Sequence, residues 1–408
     1  MCIDLKSFYA SVECVIRHLN PFNTPLVVCD IKRSKGAITL AVTPYLKKCG
    51  IPSRTRAYTL PRDIPIIYAL PRMKKYIEYS SIVYSCYLHF FSRDDIYMYS
   101  IDEGFMNITP YLNYYKITPL ELAKRIKKYV FEKTGLTVTV GIGDNMFQAK
   151  VALDVLSKHS KEEIGLVTSL NFKDVIGTVT PLNKIWCIGD RIMYRLNKMG
   201  VFCLNDILEV PKEKIYKEFG IIGLEIIDHA NGLDSTQISE AKNINDSKKK
   251  SISEGQILFK DYHKDNARYV MSEMINELSL KLNKGNYKTN NISLFIGYSD
   301  STYFAKQFKL YSYTSSYTTL LINFNKIYES VPDGFIRHIG VCAQSLRYDD
   351  RQLSLFFEKE EKENHILTSV NNIRKRYGKN SCIKGISLME DANQIERNKM
   401  IGGHNAEY

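Results

Sequence analysis

Two adjacent acidic residues, Asp102 and Glu103, constrain this sequence most, because they follow an apolar segment at 95–99. That segment is rich in Ile, Tyr and Met, which predicts a buried strand. Unpaired carboxylates beside a core are disfavoured unless a cation compensates them, and hard cations such as Mg²⁺ prefer carboxylate oxygen. Neighbouring residues on a strand point to opposite faces, so both acids can meet one metal only at a turn, for which Gly104 is suited. On the dipeptide alone, a solvated hairpin turn is the simpler interpretation.

The composition is that of a globular protein with an excess of positive charge. The 408 residues are 44% hydrophobic and 25% charged, which predicts two to four domains at roughly 100–200 residues each. The net charge of +12 and the pI of about 9.0 favour a polyanionic partner, most simply nucleic acid. The alternative at this point is a generally basic surface without a dedicated partner.

The cysteine pattern and the hydropathy favour a soluble protein of the cytoplasm. The nine cysteines are scattered and none forms a Cys-x-x-Cys pair, which argues against a zinc site and against a disulfide framework. No apolar run approaches the ~18–20 residues that span a bilayer, and the N-terminus has no signal-peptide pattern. We therefore expect no membrane partner.

Strand and helix signals alternate through residues 1–165 and predict an α/β unit. A short apolar strand precedes Asp4, and its brevity leaves open how firmly Asp4 is held. Further strands are predicted at 25–30, 36–43, 95–99 and 136–142, and helices at 73–91, 119–130 and 145–156. A single sheet would bring Asp4 and the Asp102–Glu103 pair, both at strand ends, into one place.

Residues 170–232 have the pattern of short helices joined by tight turns. The segment from Trp186 through Gly200 resembles a helix–hairpin–helix, in which backbone N–H groups approach a DNA phosphate. Ile188 and Gly189 would lie in that hairpin, with Cys187 in place of the motif's usual first glycine. An ordinary helix pair is the open alternative.

A second mixed unit follows a polar segment that ends in Lys248, Lys249 and Lys250 and predicts an exposed linker. The order β-α-β-β-α-β over 251–346 predicts a four-stranded sheet backed by two helices. The helix signals include Val270, Met274, Leu278 and Leu282, which recur every four residues. Beyond this unit we expect the acidic-basic run 358–363 to be solvated, and the remaining tail is polar and basic.

Three carboxylates in a basic protein are what a two-metal phosphoryl-transfer site requires. Two Mg²⁺ ions about 3.5–4 Å apart would support the attacking and leaving oxygens, held by Asp4, Asp102 and Glu103. Lys47 and Lys150, each predicted shortly after a strand, would neutralise a triphosphate. For either lysine alone, a solvated surface role is the commoner outcome.

Three segments resemble, in order and spacing, the motifs of Y-family translesion DNA polymerases. Residues 4–13, Asp-Leu-Lys-Ser-Phe-Tyr-Ala-Ser-Val-Glu, resemble the first motif, and 99–105, Tyr-Ser-Ile-Asp-Glu-Gly-Phe, resemble the second acidic motif. Residues 140–145, followed by Ala149 and Lys150, resemble the third. The resemblance covers nearly the whole chain and is closest to the UmuC-type branch of Gram-positive bacteria and their mobile elements.

The resemblance implies a metal site. Asp4, Asp102 and Glu103 would be catalytic metal ligands, and the backbone carbonyl of Leu5 would help to bind the nucleotide-side ion. The cofactor would be two Mg²⁺ ions, for which Mn²⁺ can substitute.

The resemblance also implies a nucleotide pocket. Tyr9 would be the steric gate that leaves no room for a ribose 2′-OH, and Phe8 would line the same pocket. Lys47 falls where the family usually has a triphosphate-binding arginine, and it lacks arginine's bidentate fork. Lys150 matches the family's second triphosphate lysine.

By the same resemblance the fold is α+β and multidomain, a right-hand polymerase with palm, small fingers, helical thumb and a β-α-β-β-α-β little finger. The expected boundaries are 1–20 and 75–165 for the palm, 21–74 for the fingers, 166–236 for the thumb, 237–250 for a linker, 251–350 for the little finger and 351–408 for a C-terminal tail. The DNA contacts implied are Ile188, Gly189, Lys248, Lys249, Lys250, Ser251 and Ser253.

The pentapeptide Gln352-Leu353-Ser354-Leu355-Phe356 resembles the peptide by which bacterial polymerases bind the sliding clamp. Its Leu and Phe side chains would fill a groove while the Gln forms hydrogen bonds at the rim. The alternative is that these side chains cover the chain's own core. UmuD-like or recombinase-filament activators are further partners that the family suggests.

The sequence therefore predicts an error-prone, template-directed DNA polymerase for translesion synthesis, with primer–template DNA, dNTPs and the clamp as partners. Two alternatives stay open. One is a DNA- and clamp-binding protein whose catalysis is absent or dispensable. The other is a different palm-type nucleotidyl transferase, such as a cyclic-dinucleotide synthase.

Overall fold

The computed structural model describes residues 1–31, 36–243, 249–349 and 358–406, with side chains except at 159, 358 and 359. The chain divides into two compact units, one of residues 1–245 and 404 onwards, the other of residues 246–403. Within the described ranges, no helix combines the length and the apolar composition that a membrane crossing requires.

The described residues of the segment 1–243 contain two sheets. Its strands are β1 (Cys2–Leu5), β2 (Leu26–Val28), β3 (Ala41–Val42), β4 (Ile67–Ala69), β5 (Ile96–Met98), β6 (Glu103–Met106), β7 (Val138–Ile142) and β8 (Ile164–Leu166). The larger sheet has the order β5-β6-β1-β7-β8, with β1 antiparallel to both of its neighbours. The short first strand is thus the centre of the sheet, and every residue of β6 and β7 is buried.

Twelve α-helices accompany these strands in the part of the first unit that the structure describes. They are α1 (Phe8–Ile16), α2 (Pro44–Lys48), α3 (Met73–Leu88), α4 (Thr109–Tyr115), α5 (Pro119–Thr134), α6 (Met146–Val151), α7 (Phe172–Val175), α8 (Asp190–Lys198), α9 (Leu204–Leu208), α10 (Lys212–Phe219), α11 (Ile221–Ala230) and α12 (Ile238–Asn243). The helix α5 forms because its apolar residues recur on one face: Leu122, Ile126 and Val130 are fully buried, as predicted. The helix α12 lies in the segment that the sequence predicts to be a linker.

The smaller sheet, in the order β3-β2-β4, supports residues 21–74. Its core contains Val27, Val42, Leu46 and Leu60. The strands are shorter than the sequence predicts: only Ala41 and Val42 of the segment 36–43 form a strand, with an isolated bridge at Ile38.

The helices α7 to α11 pack around a separate apolar cluster that includes Phe172, Leu196, Leu204 and Ile226. The turn before α8 contains Cys187, whose φ of +71° is a left-handed conformation. This is the backbone that a glycine adopts readily and other residues adopt at a cost, so the hairpin keeps its conformation without its usual glycine.

The second unit has the predicted β-α-β-β-α-β order. Its elements are β9 (Ser251–Tyr262), α13 (Lys264–Lys284), β10 (Tyr287–Tyr298), β11 (Tyr303–Thr314), α14 (Tyr317–Glu329), β12 (Ile336–Gln344), β13 (Arg347–Tyr348), α15 (Glu358–Tyr377), α16 (Gln394–Asn398) and β14 (Met400–Ile401); β15 (His404–Asn405) belongs to the first unit. The main sheet is antiparallel with the order β11-β10-β12-β9. The predicted helical positions Val270, Met274, Leu278 and Leu282 are all buried in its core.

The prediction that the run 358–363 is solvated is wrong for Glu360, whereas Glu361 and Lys362 are exposed. The predicted solvated run is part of α15, whose Glu360 accepts a hydrogen bond from the hydroxyl of Thr314 at 2.8 Å. Later on the same helix, Arg374 forms an ion pair with Glu277 of α13, and both side chains are largely buried. The charged residues of the tail therefore bind polar groups of the second unit, which hydrophobic periodicity does not reveal.

Candidate active site

The register of the central sheet brings the three predicted carboxylates together. In the pairing of β1 with β6, Asp4 lies directly opposite Glu103. The backbone N–H of Leu5 donates to the carbonyl of Asp102 at 2.9 Å. Asp4, Asp102 and Glu103 thus meet at one end of the inner strands of one sheet, as the sequence predicts.

The position of the acidic pair within its hairpin differs from the prediction. Asp102 and Glu103 do not end the strand β5; a turn follows that strand, and Glu103 is the first residue of β6. The N–H groups of Tyr99 and Ser100 close the turn by donating to the carbonyl of Glu103. Gly104 lies within β6, where a β-carbon would come 3.0 Å from the sulfur of Met98, so its role is close packing and not the turn.

The short strand before Asp4 is held on both sides. The N–H of Met106 donates to the carbonyl of Met1 at 2.9 Å, and the amino group of Met1 donates to the carbonyl of Met106 at 3.0 Å. On the other side Asp4 pairs with Thr139 of β7. The backbone position of Asp4 is therefore fixed by two neighbouring strands.

The carboxyl group of Asp4 has no hydrogen-bond donor among the described residues, and the positive charges of Lys150 and Lys158 offset its surroundings only in part. Within the described part of the chain its carboxylate accepts no hydrogen bond. Burial, followed by the negative charges of Asp102 and Glu103, raises the pKa of Asp4 to about 7. Three acids crowded in this way favour a bound cation.

The other two acids have protein partners. The ammonium of Lys150 donates to Glu103 at 2.8 Å, and the thiol of Cys2 donates to the other oxygen at 3.2 Å. Burial lowers the pKa of Lys150, but the hydrogen bond and charge of Glu103 outweigh it and raise the pKa above its ordinary value. The hydroxyl of Ser100 donates to Asp102 at 2.6 Å.

The residues present fit a divalent metal by chemistry. In the described ranges no three His, Cys, Asp or Glu side chains are arranged to hold a metal ion, because Glu103 turns towards Lys150 and Asp102 towards Ser100. The donor set nevertheless consists of carboxylate oxygens, the ligands that Mg²⁺ prefers. The carboxyl group of Asp4, to which no described residue donates a hydrogen bond, supplies the observation that favours a cation there.

Aromatic rings border this site on the helix α1. The rings of Phe8 and Tyr9 lie 5.4 Å apart, and that of Tyr76 on α3 lies 4.7 Å from Tyr9. Phe8 is buried and Tyr9 is partly exposed. The sequence analysis singles out the first two rings but misses Tyr76.

A buried network of hydrogen bonds and ion pairs around Glu13 is also not predicted from the sequence. Glu13 is fully buried and accepts hydrogen bonds from Arg72 at 3.0 and 2.7 Å and from the hydroxyl of Tyr76 at 2.8 Å. Arg17 forms an ion pair with the same carboxylate. The signal in the sequence is a glutamate among apolar residues of a predicted helix. No local pattern identifies Arg72 or Tyr76 as its partners.

The two predicted triphosphate lysines differ in their surroundings. Lys150 is largely buried between Glu103 and Asp154, at 2.8 and 3.2 Å. Lys47 is exposed at the end of α2. Although the residue as a whole is exposed, burial around its ammonium group lowers the pKa of Lys47, while the negative charges of Asp4 and Asp102 oppose that shift. This lysine is therefore within electrostatic range of the acids.

The predicted DNA contacts of the first unit separate into two kinds. Ile188 is buried in the helical core, and its N–H already donates to the carbonyl of Ile185 at 3.1 Å. Its side chain therefore packs in the core, and the DNA contact at this position stays a prediction. Gly189 is exposed at the start of α8, with open space where a β-carbon would lie.

In the second unit, Lys249 and Lys250 are exposed, as are Ser251 and Ser253 on β9. The intervening Ile252 packs against the core, so the two serines share the outer face of the sheet. Lys248 and the pentapeptide Gln352-Leu353-Ser354-Leu355-Phe356 lie outside the described residues.

Comparisons with known proteins agree with this architecture. The model of the impB/mucB/samB family matches residues 3–154, and that of the C-terminal domain of the same family matches residues 249–355. The putative UV-damage repair protein UvrX of Bacillus subtilis is 32% identical over 99% of this chain and 97% of its own length. DNA polymerase IV 2 of the same organism is 29% identical, covering 98% of this chain and 97% of its own.

Solved structures give the fold. A chimera of the Y-family DNA polymerases Dbh and Dpo4 aligns with a TM-score of 0.66 and 22% identity, over 85% of this chain and 98% of its own. A ternary complex of Dbh aligns with a TM-score of 0.53 and 23% identity, over 85% of this chain and all of its own. The chain therefore belongs to the impB/mucB/samB family and has the fold of a Y-family DNA polymerase, with palm, fingers, thumb and little finger.

Proposed function

We propose that this chain is a template-directed DNA polymerase of the error-prone, lesion-bypassing kind, acting in the cytoplasm on primer–template DNA and dNTPs. The observation that carries the proposal is the acidic cluster at the centre of the palm sheet. Asp4 lies opposite Glu103 and next to Asp102, with no protein donor for its own carboxylate. Family membership and fold make nucleotidyl transfer the chemistry that this cluster supports best.

In the proposed mechanism, Asp4, Asp102, Glu103 and the carbonyl of Leu5 would hold two Mg²⁺ ions. When bound, these ions would supply charge stabilisation for the attacking and leaving oxygens. Lys150 and Lys47 would provide positive charge for the triphosphate. Lys150 forms its ion pair with Glu103 in the protein alone, which keeps the lysine at the site before substrate arrives.

The side chain of Tyr9 would select the sugar. Its ring is supported from one side by Phe8 and from another by Tyr76, so it has little freedom to move away from a ribose 2′-OH. Replacement of Tyr9 by Ala should admit ribonucleotides. Unchanged sugar discrimination in that variant would contradict the assignment without affecting the metal site.

We also propose that the pentapeptide 352–356 binds the bacterial sliding clamp, and that the outer face of β9 together with Gly189 and Lys248–Lys250 contacts DNA. The support for the peptide is its sequence alone. Loss of clamp binding on replacement of Leu355 and Phe356 by Ala, measured with the purified clamp, would test it. UmuD-like or recombinase-filament activators stay family-based candidates.

Primer extension with purified protein, Mg²⁺ and an abasic template tests the activity. We expect Asp102→Asn to lower extension by about a hundred- to a thousandfold or more, because it removes charge from the reacting centre. Asp94→Asn is the matched control, because Asp94 is exposed in the same unit. Equal activity in both variants would contradict the metal assignment, and formation of cyclic dinucleotides without extension would favour the other kind of palm enzyme.

A further inference from the structure

The helix α3 reaches the candidate active site at two points. Near its start, the ring of Tyr76 lies 4.7 Å from that of Tyr9, and one turn later the hydroxyl of Ser80 donates to the carbonyl of Ile101 at 2.5 Å. Residues four apart share one face of a helix, so both contacts come from the same face of α3. Because Ile101 directly precedes Asp102, the position of α3 bears on the sugar gate and on the acidic hairpin together.

The start of α3 has no side-chain cap of its own. The first four N–H groups of an α-helix have no acceptor within the helix, and the side chain of the preceding residue commonly supplies one. In α3 the preceding residue is Arg72, whose side chain contains only donors and makes no capping hydrogen bond. It donates instead to Glu13. The first turn of α3 is therefore open to an acceptor from elsewhere in the chain.

Residues 404–406 supply such an acceptor, and we call them the clasp. The N–H of Lys74, in the first turn of α3, donates to the carbonyl of Ala406 at 3.0 Å. The side-chain amide of Asn405 donates to Asp30, shortly after β2, at 3.1 Å. Ala406 is only 9% exposed. The clasp is thus held on the first unit by a backbone hydrogen bond, a side-chain hydrogen bond and a buried methyl group.

The clasp follows a turn that suits glycine. Gly402 and Gly403 have φ values of +60° and +81°, a left-handed conformation that other residues adopt at a cost. The helix α16 before this turn is bound to the second unit, where Arg397 donates to Gln256 at 2.8 Å. The chain therefore leaves the second unit at Gly403 and enters the first unit at His404.

From these contacts, and resting on the proposed polymerase function, we infer that the clasp positions the active site through α3. By accepting a hydrogen bond from the start of the helix, the clasp keeps Tyr76 against the ring of Tyr9 and Ser80 against the acidic hairpin. Residues 404–406 are positioning residues, because they act through α3 and not on the substrate. Selection of deoxyribonucleotides over ribonucleotides then depends on a segment that follows the whole second unit in the sequence.

Hydrogen exchange tests the contact without reference to activity. The test variant is Asn405→Ala with Ala406→Arg, which removes the side-chain bond and places a cation beside the positive end of the helix dipole. The matched control is Asn380→Ala with Leu388→Arg, the same kinds of change at exposed positions of the second unit. We expect the amides of residues 73–77 to exchange about two- to tenfold faster in the test variant, the range that the loss of one hydrogen bond allows. Exchange there should be unchanged in the control.

The second measurement is the ratio of kcat/KM for a dNTP to that for the matching rNTP in single-nucleotide insertion. We expect this ratio to fall by about two- to tenfold in the test variant, since the same hydrogen bond is lost, and to be unchanged in the control. A merely structural defect lowers the fraction of active protein, which reduces both rates equally and leaves the ratio unchanged. Ala406→Ser, which keeps a small side chain and the backbone carbonyl, should match the parent in both measurements.

A third variant separates the local contact of the clasp from the length of its connection. A Gly-Ser-Gly-Ser insertion between Gly402 and Gly403 lengthens the connection and leaves residues 404–406 unchanged. We expect exchange and sugar selection like those of the parent, because the acceptor for Lys74 is still present. An effect as large as that of the test variant would overturn the inference and assign the effect to the length of the connection. Circular dichroism melting establishes that each variant folds, and Asn405→Ala alone is the milder variant if the double replacement does not.

Unchanged exchange at residues 73–77 in the test variant would overturn the inference, whatever the activity. Faster exchange with an unchanged sugar ratio would also overturn it, because the clasp would then stabilise α3 without positioning the gate. A failure of the proposed function is distinguishable from both outcomes. If the parent protein does not extend primers, the polymerase proposal fails, while the exchange comparison still tests the contact between the clasp and α3.

Discussion

Two carboxyl groups near the N-terminus are withdrawn from water in contrasting ways. Glu13 on α1 is fully buried, and Arg72 and Tyr76 donate hydrogen bonds to it. Asp4 on β1 has two acids beside it and no donor of its own among the described residues. Burial alone would raise the pKa of both, yet the pKa of Glu13 is lowered by its partners, whereas that of Asp4 rises to about 7.

The difference separates a structural carboxylate from a functional one. The protein supplies cations for Glu13, so its charge is stable in every state of the folded chain. Around Asp4 the protein supplies mostly further negative charge, and the imbalance is relieved only by something that binds. Perturbation of a pKa is thus less informative than its cause.

Asp4→Asn should show the largest effect of any substitution in this comparison. We expect primer extension to fall by about a hundred- to a thousandfold or more, since a carboxylate is lost where positive charge must be held. Stability in EDTA should rise at pH 8. A carboxyl group with a raised folded pKa contributes stability below its unfolded pKa, and that stability is lost as pH rises through about 7.

Urea unfolding at pH 5 and pH 8, alongside extension assays, checks both parts. The gain in stability should be present at pH 8 and should diminish towards pH 5. Added Mg²⁺ should stabilise the parent more than the variant. A variant that loses stability at pH 8 would show that Asp4 is structural, like Glu13.

Glu13→Gln should have the next largest effect. It should lower the free energy of unfolding, whereas Asp4→Asn should raise it at pH 8. Removing one partner from a buried ion pair leaves the guanidinium of Arg72 uncompensated, at a cost of about 3–5 kcal/mol in the free energy of unfolding. Urea unfolding at pH 7 measures this cost. Glu78→Gln is the matched control, because its ion pair with Lys75 is exposed and should contribute within about 0.5 kcal/mol. Similar costs for the two variants would mean that the Glu13 network adds nothing beyond a surface pair.

The sequence predicts the functional cluster better than the structural network. Asp102 and Glu103 stand out because two acids interrupt an apolar run, and strand pairing then accounts for their meeting Asp4. Glu13 and Arg72 are 59 residues apart, and their pairing depends on how α1 packs against the start of α3. No local pattern contains that information.

The lack of a local pattern also explains two larger errors of the sequence-based prediction, one at α15 and one at the turn before Glu103. The helix α13 was predictable because an apolar residue recurs every four positions, whereas α15 binds its unit through polar contacts that have no period. The turn at Tyr99–Asp102 was misplaced because Gly104 resembles a turn residue. Its lack of a side chain in fact allows Met98 to pack closely, which sequence alone does not distinguish.

A third carboxylate, Glu273 on α13, extends the comparison to the second unit. It is 2% exposed and accepts hydrogen bonds from the N–H groups of Asn393 and Gln394, at 3.0 and 3.2 Å. Glu273→Ala leaves those buried donors unpaired, which should cost about 1–3 kcal/mol. Hydrogen exchange of residues 385–399 should accelerate, and Glu329→Ala, at an exposed site, is the control. Unchanged exchange in Glu273→Ala would show that other contacts hold the tail.

The smallest predicted effect is a difference in pH dependence between the two buried glutamates. Burial raises the pKa of Glu273 against the opposing backbone hydrogen bonds, whereas arginine and tyrosine partners outweigh burial at Glu13 and lower its pKa. The contribution of Glu13 is therefore present above its unfolded pKa, near 4.3, and is lost as pH falls through the lower folded value. The contribution of Glu273 is complete below that unfolded pKa and declines as pH rises through the higher folded value.

In urea unfolding from pH 3.5 to pH 7, the cost of Glu13→Gln should grow up to about pH 4.5 and then stay level, while the cost of Glu273→Gln should shrink above that pH. Parallel profiles would mean that the guanidinium groups do not distinguish the two sites, and that burial alone sets how a carboxylate behaves in this protein.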